Sequence, residues 1–478
     1  MQYEPVIGLE VHVQLKTKTK VFCGCSTAFG NEPNTQVCPV CLGFPGSLPV
    51  LNRMALEYSV KVGLALNCSV QDFIKFDRKH YYYPDLPKNF QISQYDLPIS
   101  KNGCLDIEIN GQTKRIGVRR AHLEEDAGKL IHKEDVSLID YNRTGQPLLE
   151  IVSEPDINSP EEAYEYLNDL KAIVQYLGVS DCDMEKGTLR CDANVSVRPK
   201  GSKALGTKSE LKNLNSFKAV KDSLHYEIGR QIGLLNEGGK VVQETRLWDE
   251  KTARTSPMRS KEEAKDYRYF PEPDLPPFII SKDKIEEIRK TIPELPKDKE
   301  NRFMKEYGLS GYDAAILAAN KDNADYAEER FKAWADKNKK PVANWLIGPL
   351  AAIAGSRNVE ISEIKISTKD FLDLIKLVEK KQAISNIAGK AVLEEMASTG
   401  KPASGIIEEK DLAQISDTAS LENFVDEAIK ENPASVGSFK SGKENALMFL
   451  VGQVMKKSKG KANPKVVHDI LKRRLSDA

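Results

Sequence analysis

Four short stretches of the chain place carboxylates within strand-like alternation of apolar and polar residues. They are Gly8-Leu9-Glu10-Val11-His12, His122-Leu123-Glu124-Glu125-Asp126, Leu148-Leu149-Glu150-Ile151-Val152 and Leu189-Arg190-Cys191-Asp192-Ala193-Asn194. Successive side chains of a strand point to opposite faces, so Leu9 and Val11 share one face whereas Glu10 and His12 share the other. The pattern predicts strands with one apolar and one polar face.

Residues 1–292 are rich in such β signals and contain one well-marked helix. Residues 105–109 alternate and are followed by Asn110-Gly111, a pair typical of a tight hairpin turn. A helix is predicted between Ser159, which can cap it, and Gly178, which follows its last turn. The proline-rich stretch 269–277 is predicted to be a fixed loop without regular structure.

Beyond Pro293 and Pro296 the spacing of apolar residues becomes helical, and the breaker-rich segment 401–405 marks a second boundary. Amphipathic helices are predicted at residues 312–320, 326–337, 370–381, 389–398 and 444–457. We therefore expect an α+β protein with a mostly antiparallel β domain at residues 1–292, an all-α helical domain at 293–405 and a small helical tail domain at 406–478.

Length and charge narrow the class of protein. A chain of 478 residues is too long for one core, which agrees with two or three domains. Because Lys+Arg and Asp+Glu both number 70, no global field attracts nucleic acid, and any RNA contact must be a local patch. Neither a secretory leader nor an apolar run of transmembrane length is found, so we expect a soluble cytoplasmic protein.

Four of the eight cysteines form two close pairs, Cys23 with Cys25 and Cys38 with Cys41. Two such pairs are what a tetrahedral Zn²⁺ needs, and four thiolates leave no open position for catalysis. A structural zinc is therefore predicted, with unliganded or redox thiols as the alternative and a disulfide framework as a weaker one. Ordinary semi-buried positions are expected for the scattered cysteines, Cys68, Cys104, Cys182 and Cys191.

The carboxylates are the chemically informative groups. They are costly in so apolar a setting unless a metal, an arginine or a ligand compensates them, and oxygen ligands with one imidazole suit Mg²⁺ or Mn²⁺. A half-solvated sheet with its polar face in water is the alternative. Phosphate-binding glycine loops, a G-x-S-x-G elbow and amidase or glutaminase motifs are absent. The remaining reactive groups are these carboxylates with His12, Lys79, Arg190 and Arg198, which suit metal-assisted phosphoryl transfer.

The carboxy-terminal segment, residues 440–478, is strongly basic. Its cations are expected to point outward from two amphipathic helices and to bind RNA phosphates; the alternative is a solvated charged tail. The candidate phosphate-binding residues are Lys456, Lys457, Lys459 and Lys461, followed by Arg473 and Arg474.

Several longer strings closely resemble the B subunit of the tRNA-dependent Asp/Glu amidotransferases, over almost the whole chain. They include Val6-Ile-Gly-Leu-Glu-Val-His-Val13, Lys75-Phe-Asp-Arg-Lys79, His122-Leu-Glu-Glu-Asp-Ala-Gly-Lys129, Leu148-Leu-Glu-Ile-Val-Ser-Glu-Pro-Asp156, Leu189-Arg-Cys-Asp-Ala-Asn194, Leu211-Lys-Asn-Leu-Asn-Ser-Phe217, Asp266-Tyr-Arg-Tyr-Phe-Pro-Glu-Pro-Asp274 and Phe449-Leu-Val-Gly-Gln-Val-Met455.

The resemblance implies a cradle-like catalytic domain that phosphorylates the side-chain carboxylate of Glu on Glu-tRNA(Gln), or of Asp on Asp-tRNA(Asn), with ATP and Mg²⁺. Ammonia then displaces the phosphate. The implied partners are an amidase-like A subunit, which releases that ammonia from glutamine, and a small C subunit, in a heterotrimer. The tail domain is implied to contact the tRNA, and Zn²⁺ is expected because all four cysteines are present.

On this basis one kinase site is expected to gather Glu10, His12, Glu124, Glu150 and Asp192, the first four of them as Mg²⁺ ligands. Arg190 and Asn194 are assigned to ATP. Glu125 should face away from Glu124, with Lys79 balancing its charge, either to handle the proton of ammonium or as a plain structural ion pair. The alternative for the whole protein is a zinc-stabilised, non-catalytic tRNA-binding subunit whose carboxylates form a structural salt network.

Overall fold

The computed structural model describes residues 2–260, 267–380, 383–415, 418–441, 443–458 and 461–476. The chain divides into two compact units, one ending at Pro296 and the other starting at Lys297. Among the described residues, none of the helices combines the length and the apolar character needed to cross a bilayer.

The strands lie in the first unit. They are β1 (Tyr3–Gln14), β2 (Ser69–Val70), β3 (Phe73–Ile74), β4 (Asp77–His80), β5 (Phe90–Ser93), β6 (Ser100–Ile109), β7 (Gln112–Glu125), β8 (Lys129–Lys133), β9 (Val136–Asp140), β10 (Pro147–Ser153), β11 (Leu189–Pro199), β12 (Ser209–Lys212), β13 (Glu244–Asp249), β14 (Arg254–Ser260), β15 (Phe270–Pro271) and β16 (Phe278–Ile279). The helices of this unit are α1 (Arg53–Ala65), α2 (Pro160–Tyr176), α3 (Phe217–Asn236) and α4 (Lys282–Arg289).

Nine strands form one sheet in the order β14-β13-β12-β11-β1-β10-β7-β6-β2. The pairs are antiparallel except for β12 with β13, which run parallel. The first strand of the chain therefore lies in the middle of the sheet, between β10 and β11. The predicted hairpin is confirmed, because β6 and β7 are joined through Asn110 and Gly111, both at positive φ.

One face of the sheet is apolar and packs against helices. Ile7, Leu9 and Val11 of β1 belong to the same buried cluster as Leu167 and Leu170 of α2. Removing such side chains from water contributes about 2 kcal/mol each, which fixes the sheet orientation that the alternation predicts. The opposite face carries the polar side chains and is called the polar face below. Helix α2 also confirms its predicted cap, since Ser159 accepts a hydrogen bond from the Glu162 amide.

Not all of the first unit was predicted. Only one well-marked helix was expected there, whereas α1, α3 and α4 are also present. The proline-rich stretch was predicted to lack regular structure, yet Phe270 and Pro271 pair with β4 as a two-residue strand. This strand, β15, lies at the edge of its sheet, with β4 on one side. Proline is tolerated at an edge because no strand on the other side needs its missing N–H as a hydrogen-bond donor.

The second unit is helical. Its helices are α5 (Pro296–Tyr307), which begins at the unit boundary, α6 (Gly311–Ala318), α7 (Lys321–Ala333), α8 (Lys340–Trp345), α9 (Ala351–Ser356), α10 (Thr368–Ile375), α11 (Asn386–Thr399), α12 (Ala403–Glu409), α13 (Thr418–Glu431), α14 (Pro433–Lys440), α15 (Asn445–Lys457) and α16 (Pro464–Ser476). The first of two π-helical turns, Leu346–Leu350, joins α8 to α9, and the second, Lys376–Lys380, follows α10. Helices α13, α15 and α16 share a separate apolar cluster with Leu421, Leu450 and Leu471 at its centre. A mixed sheet unit followed by a helical unit confirms the α+β class.

Candidate active site

The strand register brings the four carboxylate stretches onto adjacent strands. Glu10 of β1 lies opposite Asp192 of β11, and His12 lies opposite both Arg190 of β11 and Glu150 of β10. On the far side of β10, Glu150 lies opposite His122 of β7. Because directly opposite residues of antiparallel strands point to the same face, these side chains form two rows across the polar face.

The compact centre of these rows is a group of two carboxylates and two imidazoles. His12 Nε2 lies 3.5 Å from Glu150 Oε2 and 3.9 Å from Glu124 Oε1. His122 Nε2 lies 3.3 Å from Glu150 Oε2 and 3.5 Å from Glu124 Oε2. Ser93 donates a 3.1 Å hydrogen bond to Glu124. Below, the carboxylate cluster means His12, His122, Glu124 and Glu150.

Electrostatics keep both carboxylates ionised. Burial raises the pKa of Glu150, but the opposing effects of His122, His12 and Lys79 are larger. The pKa of Glu150 is therefore well below its usual range. The pKa of Glu124 is also lowered, because His122 and Lys79 outweigh burial and the charge of Glu150. The pKa of Lys79 is raised, since the two carboxylates and Tyr269 outweigh burial. The site is a buried pair of anions with an ammonium beside it.

The donor set fits a hard divalent cation. One ligand atom from each of His12, Glu124 and Glu150 lies within 4.8 Å of the other two. Two carboxylates and one imidazole suit Mg²⁺ or Mn²⁺, and such an ion would relieve the repulsion between the adjacent anions. Within the described residues, His122 Nδ1 is a buried nitrogen without a hydrogen-bond partner. The predicted gathering of His12, Glu124 and Glu150 is therefore present in the geometry.

Glu10 and Asp192 lie on the same face but in the next row, about 7 Å along the strands. Glu10 accepts a 2.9 Å hydrogen bond from Asn194 Nδ2, and Asp192 lies 2.5 Å from Lys212 Nζ. Arg190, in the row of His12, donates a 3.0 Å hydrogen bond to Asp126. The five carboxylate and histidine residues expected at the kinase site thus divide into a compact set of three and a flanking pair, and of the four expected Mg²⁺ ligands Glu10 lies outside the compact set.

Glu125 lies behind the carboxylate cluster, and its partner differs from the expected one. Its carboxylate forms an ion pair with Lys88 and accepts a 2.9 Å hydrogen bond from the Ile92 amide. Lys79 was expected to balance Glu125, but its ammonium lies 5.0 Å from the Tyr267 ring centroid and interacts with Glu124 and Glu150. The expected pairing is wrong, because Lys79 projects from β4 toward the polar face whereas strand alternation turns Glu125 away from it.

A cavity of about 230 Å³ adjoins Glu125 and is called the back cavity. Its walls include Lys88, Arg78 and Glu272, and the cysteine loop closes it through Cys23 and Cys41. Arg78 Nε lies 2.7 Å from Glu272 Oε2, so this second carboxylate of the wall is also paired.

The four predicted cysteines are brought together. Their Sγ atoms lie within 4.8 Å of one another, and those of Cys38 and Cys41 are 3.9 Å apart. A hydrogen bond from Cys23 and the ammonium of Lys20 lower the pKa of Cys41 against the effect of burial, while burial and the neighbouring thiols raise the pKa of Cys25 to about 11. Four crowded thiols of this kind ionise together only around a cation, so the cluster is suited to a metal ion.

The predicted cations of the tail are mostly paired. Lys457 Nζ lies 2.8 Å from Glu431 and 3.1 Å from Glu427, and Lys461 pairs with Asp411. Arg473 and Arg474 both contact Glu422 of α13. Of these four cations, Lys457, Arg473 and Arg474 have acidic partners on α13, whereas the partner of Lys461 precedes that helix. Their role in binding phosphates stays a prediction. Lys456 is exposed, and Lys459 lies outside the described residues.

Three contributors to the site were missed from the sequence. His122 and Lys212 belong to strings that resemble the family, and His122 is two residues from Glu124, so alternation places both on one face. The position of His122 could therefore have been predicted from the alternation along this strand. Lys88 lies in the irregular loop between β4 and β5 and carries no local pattern, so its position beside Glu125 depends on the fold alone.

Comparison with known proteins supports the resemblance. The family profile described as GatB/GatE catalytic domain matches residues 5–286, and the one described as GatB domain matches residues 325–475. The B subunit of the aspartyl/glutamyl-tRNA(Asn/Gln) amidotransferase of Carboxydothermus hydrogenoformans is 57% identical over 480 residues, covering 99% of each chain. The protein of the same name from Caldanaerobacter subterraneus is 57% identical over 477 residues and covers 100% of both chains. That of Persephonella marina is 54% identical over 471 residues, or 98% of this chain and 99% of that one. These matches confirm the resemblance that the motifs indicate.

Proposed function

The chain belongs to the GatB/GatE family of amidotransferase B subunits, and from that premise we propose that it activates the side-chain carboxylate of Glu on Glu-tRNA(Gln), or of Asp on Asp-tRNA(Asn), by ATP-dependent phosphorylation. Ammonia then converts the activated group to an amide. The observation that carries this proposal is the carboxylate cluster: two buried anions and two imidazoles, on one sheet face, with an ammonium beside them.

The chemistry needs two anions to approach each other. A carboxylate oxygen of the substrate attacks the γ-phosphorus of ATP, the bond to the bridging oxygen breaks, and ADP leaves. His12, Glu124 and Glu150 would hold a Mg²⁺, which would supply the positive charge that this approach requires. Lys79 is the protein's own cation at this place, and the tyrosine rings around it exclude water and strengthen its interaction with an anion.

Amide formation completes the reaction. The nitrogen of ammonia attacks the acyl carbon, the bond from that carbon to the phosphate oxygen breaks, and the leaving phosphate takes up the proton that the nitrogen loses. Glu125 directly follows Glu124 in β7, but its side chain faces the back cavity. There it accepts a proton from ammonium before ammonia reaches the polar face. We propose that ammonia comes from glutamine through an amidase-like A subunit and that a small C subunit completes a heterotrimer. Glu10, Asp192, Arg190 and Asn194 flank the site and are proposed to orient the nucleotide.

Two further features have supporting roles. We propose that Cys23, Cys25, Cys38 and Cys41 hold one structural Zn²⁺, which fixes the loop that closes the back cavity. The tail helices are proposed to bind tRNA phosphates weakly, because Lys457, Arg473 and Arg474 already have acidic partners. Such contacts position the tRNA and carry little sequence information. Because aminoacyl-tRNA is used in the cytoplasm, we propose that the protein acts there.

Hydroxylamine trapping tests the proposed activation step. The full chain, assembled with its A and C partners, is incubated with γ-labelled ATP and Glu-tRNA(Gln) but without glutamine. We expect labelled phosphate release that depends on Glu-tRNA(Gln), and a Glu hydroxamate on the tRNA when hydroxylamine replaces ammonia. Gln-tRNA(Gln) is the matched control because it has no free side-chain carboxylate. If neither product depends on the misacylated tRNA, the chain is a non-catalytic tRNA-binding subunit.

A further inference from the structure

One lysine of the first unit is completely buried and lies against the group of four cysteines. Lys20 is 0% exposed, and its ammonium lies 3.6 Å from Cys41 Sγ and 3.2 Å from the Tyr141 carbonyl oxygen. In the described part of the chain these two atoms are its polar partners, and neither belongs to a carboxylate. Burying an ammonium is costly unless an anion compensates it. Cys41 is therefore the partner that can supply the negative charge.

The carboxylate of Glu125 shares the wall of the back cavity with Lys20 but has partners of its own. A Cβ built on Gly145 would lie 3.5 Å from Lys20 Cδ and 3.8 Å from Glu125 Oε2, so the two side chains approach the same point. Lys88 forms an ion pair with Glu125, and the Ile92 amide donates a 2.9 Å hydrogen bond to it. Glu125 is thus compensated without Lys20.

The surroundings of the Cys41 sulfur are those of a metal-bound thiolate. Besides the ammonium of Lys20, the Cys38 amide donates a 3.2 Å hydrogen bond to it, so two N–H donors point at one sulfur. A neutral thiol is a weak acceptor, whereas an ionised acceptor forms stronger hydrogen bonds. Four thiolates around one Zn²⁺ also leave an excess of negative charge, which is costly away from water. The ammonium of Lys20 is placed to offset that excess.

The backbone of Lys20 is tied to the same cysteine loop. Its amide donates a 3.0 Å hydrogen bond to the Cys25 carbonyl oxygen, and the preceding residue, Thr19, forms an isolated bridge with Ser26. Tyr141, whose carbonyl accepts from the ammonium, lies between β9 and β10. The side chain of Lys20 therefore joins the cysteine loop to a distant segment of the chain.

We propose that Lys20 is an outer positioning residue of the metal site, whose ammonium donates a hydrogen bond to the Cys41 thiolate and offsets part of the negative charge of the four thiolates. Groups that hydrogen-bond to metal ligands hold those ligands in place, and losing one typically costs about tenfold to a hundredfold in metal affinity. This role rests on the proposed zinc site and adds to it a residue that does not bind the metal itself.

Substitution can separate the charge of Lys20 from its hydrogen bonding and its shape. Lys20→Met removes the charge at similar length, Lys20→Gln also keeps an N–H donor for the Tyr141 carbonyl, and Lys20→Arg keeps the charge. Lys75→Gln is the matched control, because Lys75 is a half-buried lysine of the same unit that pairs with Asp77 at 3.0 Å and with Asp96 at 2.9 Å.

Zinc affinity of the full chain is measured by competition with a chromophoric chelator. Co²⁺ is then bound in place of Zn²⁺, and its thiolate charge-transfer absorption is recorded together with the thermal midpoint of each variant. Two neutral variants are used so that the failure of one of them to fold leaves the other to decide.

We expect Lys20→Met and Lys20→Gln to lower zinc affinity at least about tenfold, and Lys20→Arg to stay within about threefold of the parent. Lys75→Gln should leave zinc affinity unchanged. The Co²⁺ charge-transfer band should move to longer wavelength in the two neutral variants, because a thiolate that loses a neighbouring cation holds its electrons less tightly. A lysine that only fills space would not produce this shift.

Unchanged zinc affinity and an unchanged Co²⁺ band in the neutral variants would overturn the role of Lys20 while leaving the zinc site intact. An equal loss of affinity in the neutral variants and in Lys20→Arg, with lowered thermal midpoints and no shift of the band, would also overturn it, because packing would then explain the loss. A parent protein that binds no zinc would contradict the proposed zinc site itself and, with it, the role of Lys20.

Discussion

Buried carboxylates occur in both units of this protein, and their surroundings differ in a way that separates function from structure. In the helical unit, Glu328 of α7 lies within 2.9 Å of two Arg302 nitrogens and 2.7 Å from Lys332 Nζ, with Lys299 at 3.5 Å. Three cations therefore surround one carboxylate. In the sheet unit, Glu124 and Glu150 face each other's charge and share two imidazoles.

The difference separates the buried acids that we propose to take part in the chemistry from those that stabilise the fold. A carboxylate with its own set of cations is compensated within the protein and stabilises the fold in which it lies. Two adjacent carboxylates that share imidazoles and one ammonium are compensated in full when an additional cation or ligand binds. The structural salt network considered from the sequence thus describes Glu328 well and the carboxylate cluster poorly.

The largest expected effect is the loss of activity in Glu150→Gln. Amide formation on Glu-tRNA(Gln) should fall by about a thousandfold or more, the scale on which one preorganised electrostatic group acts in a transition state. The thermal midpoint should fall only slightly, because His12 and His122 keep Glu124 as a partner when Glu150 loses its charge. Single-turnover kinetics and thermal unfolding of the same preparation check both statements. Full activity in this variant would return the carboxylate cluster to the same class as Glu328.

The group of four cysteines can be compared with Glu328 and with the carboxylate cluster by removing one of its thiolates. Cys41→Ser should abolish zinc binding and lower the free energy of unfolding by on the order of 3 kcal/mol, since loss of a structural metal is among the largest single-residue effects. Elemental analysis and urea unfolding measure this. Cys104→Ser is the control, because Cys104 lies outside the four-cysteine group. Absence of zinc from the parent protein, purified without chelator, would contradict the metal assignment.

Glu328→Gln should show the reverse of Glu150→Gln, with activity kept and stability lost. The pKa of Glu328 is lowered to about 2 from an ordinary value of 4.5, since hydrogen bonds and charges of Arg302, Lys332 and Lys299 outweigh burial. Its contribution, roughly 2 kcal/mol, is therefore complete above pH 4.5 and is lost as the pH falls toward 2.

Fluorescence can follow this loss in the helical unit alone. In a Trp248→Phe background, the remaining two of three tryptophans, Trp334 and Trp345, lie in the second unit. The parent should lose stability steeply between pH 4.5 and 2, and the Gln variant should be less stable at pH 7 with a flatter acid profile. Equal stability of both proteins at pH 7 would show that the three cations need no carboxylate.

Glu125→Gln tests the paired acid that adjoins the cluster. We expect glutamine-dependent amide formation to fall about tenfold, within the usual range for removing a proton acceptor. ATP cleavage on Glu-tRNA(Gln) should remain, because Glu125 faces the back cavity and not the polar face. Glu124→Gln, one residue away, should lose both steps. Full glutamine-dependent activity in Glu125→Gln would make its contact with Lys88 a plain structural ion pair.

The smallest expected effect concerns the tail cations. Lys456→Ala should raise the Michaelis constant for misacylated tRNA about twofold to threefold and reduce the salt slope of binding by about 1, since one phosphate contact is lost. Lys457→Ala should have less effect, because Lys457 already pairs with Glu427 and Glu431. Equal effects of the two substitutions would mean that local acidic partners do not weaken a phosphate contact.

Local chemistry explains what could be predicted from the sequence. The cap of α2, the turn between β6 and β7 and the apolar face of β1 each depend on neighbouring residues, so they follow from composition and period. The same holds for the two cysteine pairs, whose spacing already brings each pair close. Helix α3 was not predicted, and its position beside β11 shows that packing overrides a weak local signal.

By itself, the sequence determined which residues are candidates for the proposed chemistry and on which face of a strand each lies, because alternation is a property of a single strand. Only the tertiary structure decided which of those faces meet. The central position of β1 aligns His12 with Glu150, although 138 positions apart in the chain, and leaves Glu10 and Asp192 in the next row. Lys88 replaces Lys79 beside Glu125, and α13 places acids beside Lys457, Arg473 and Arg474. Pairings of this kind depend on register and packing between distant segments, and no local pattern encodes them.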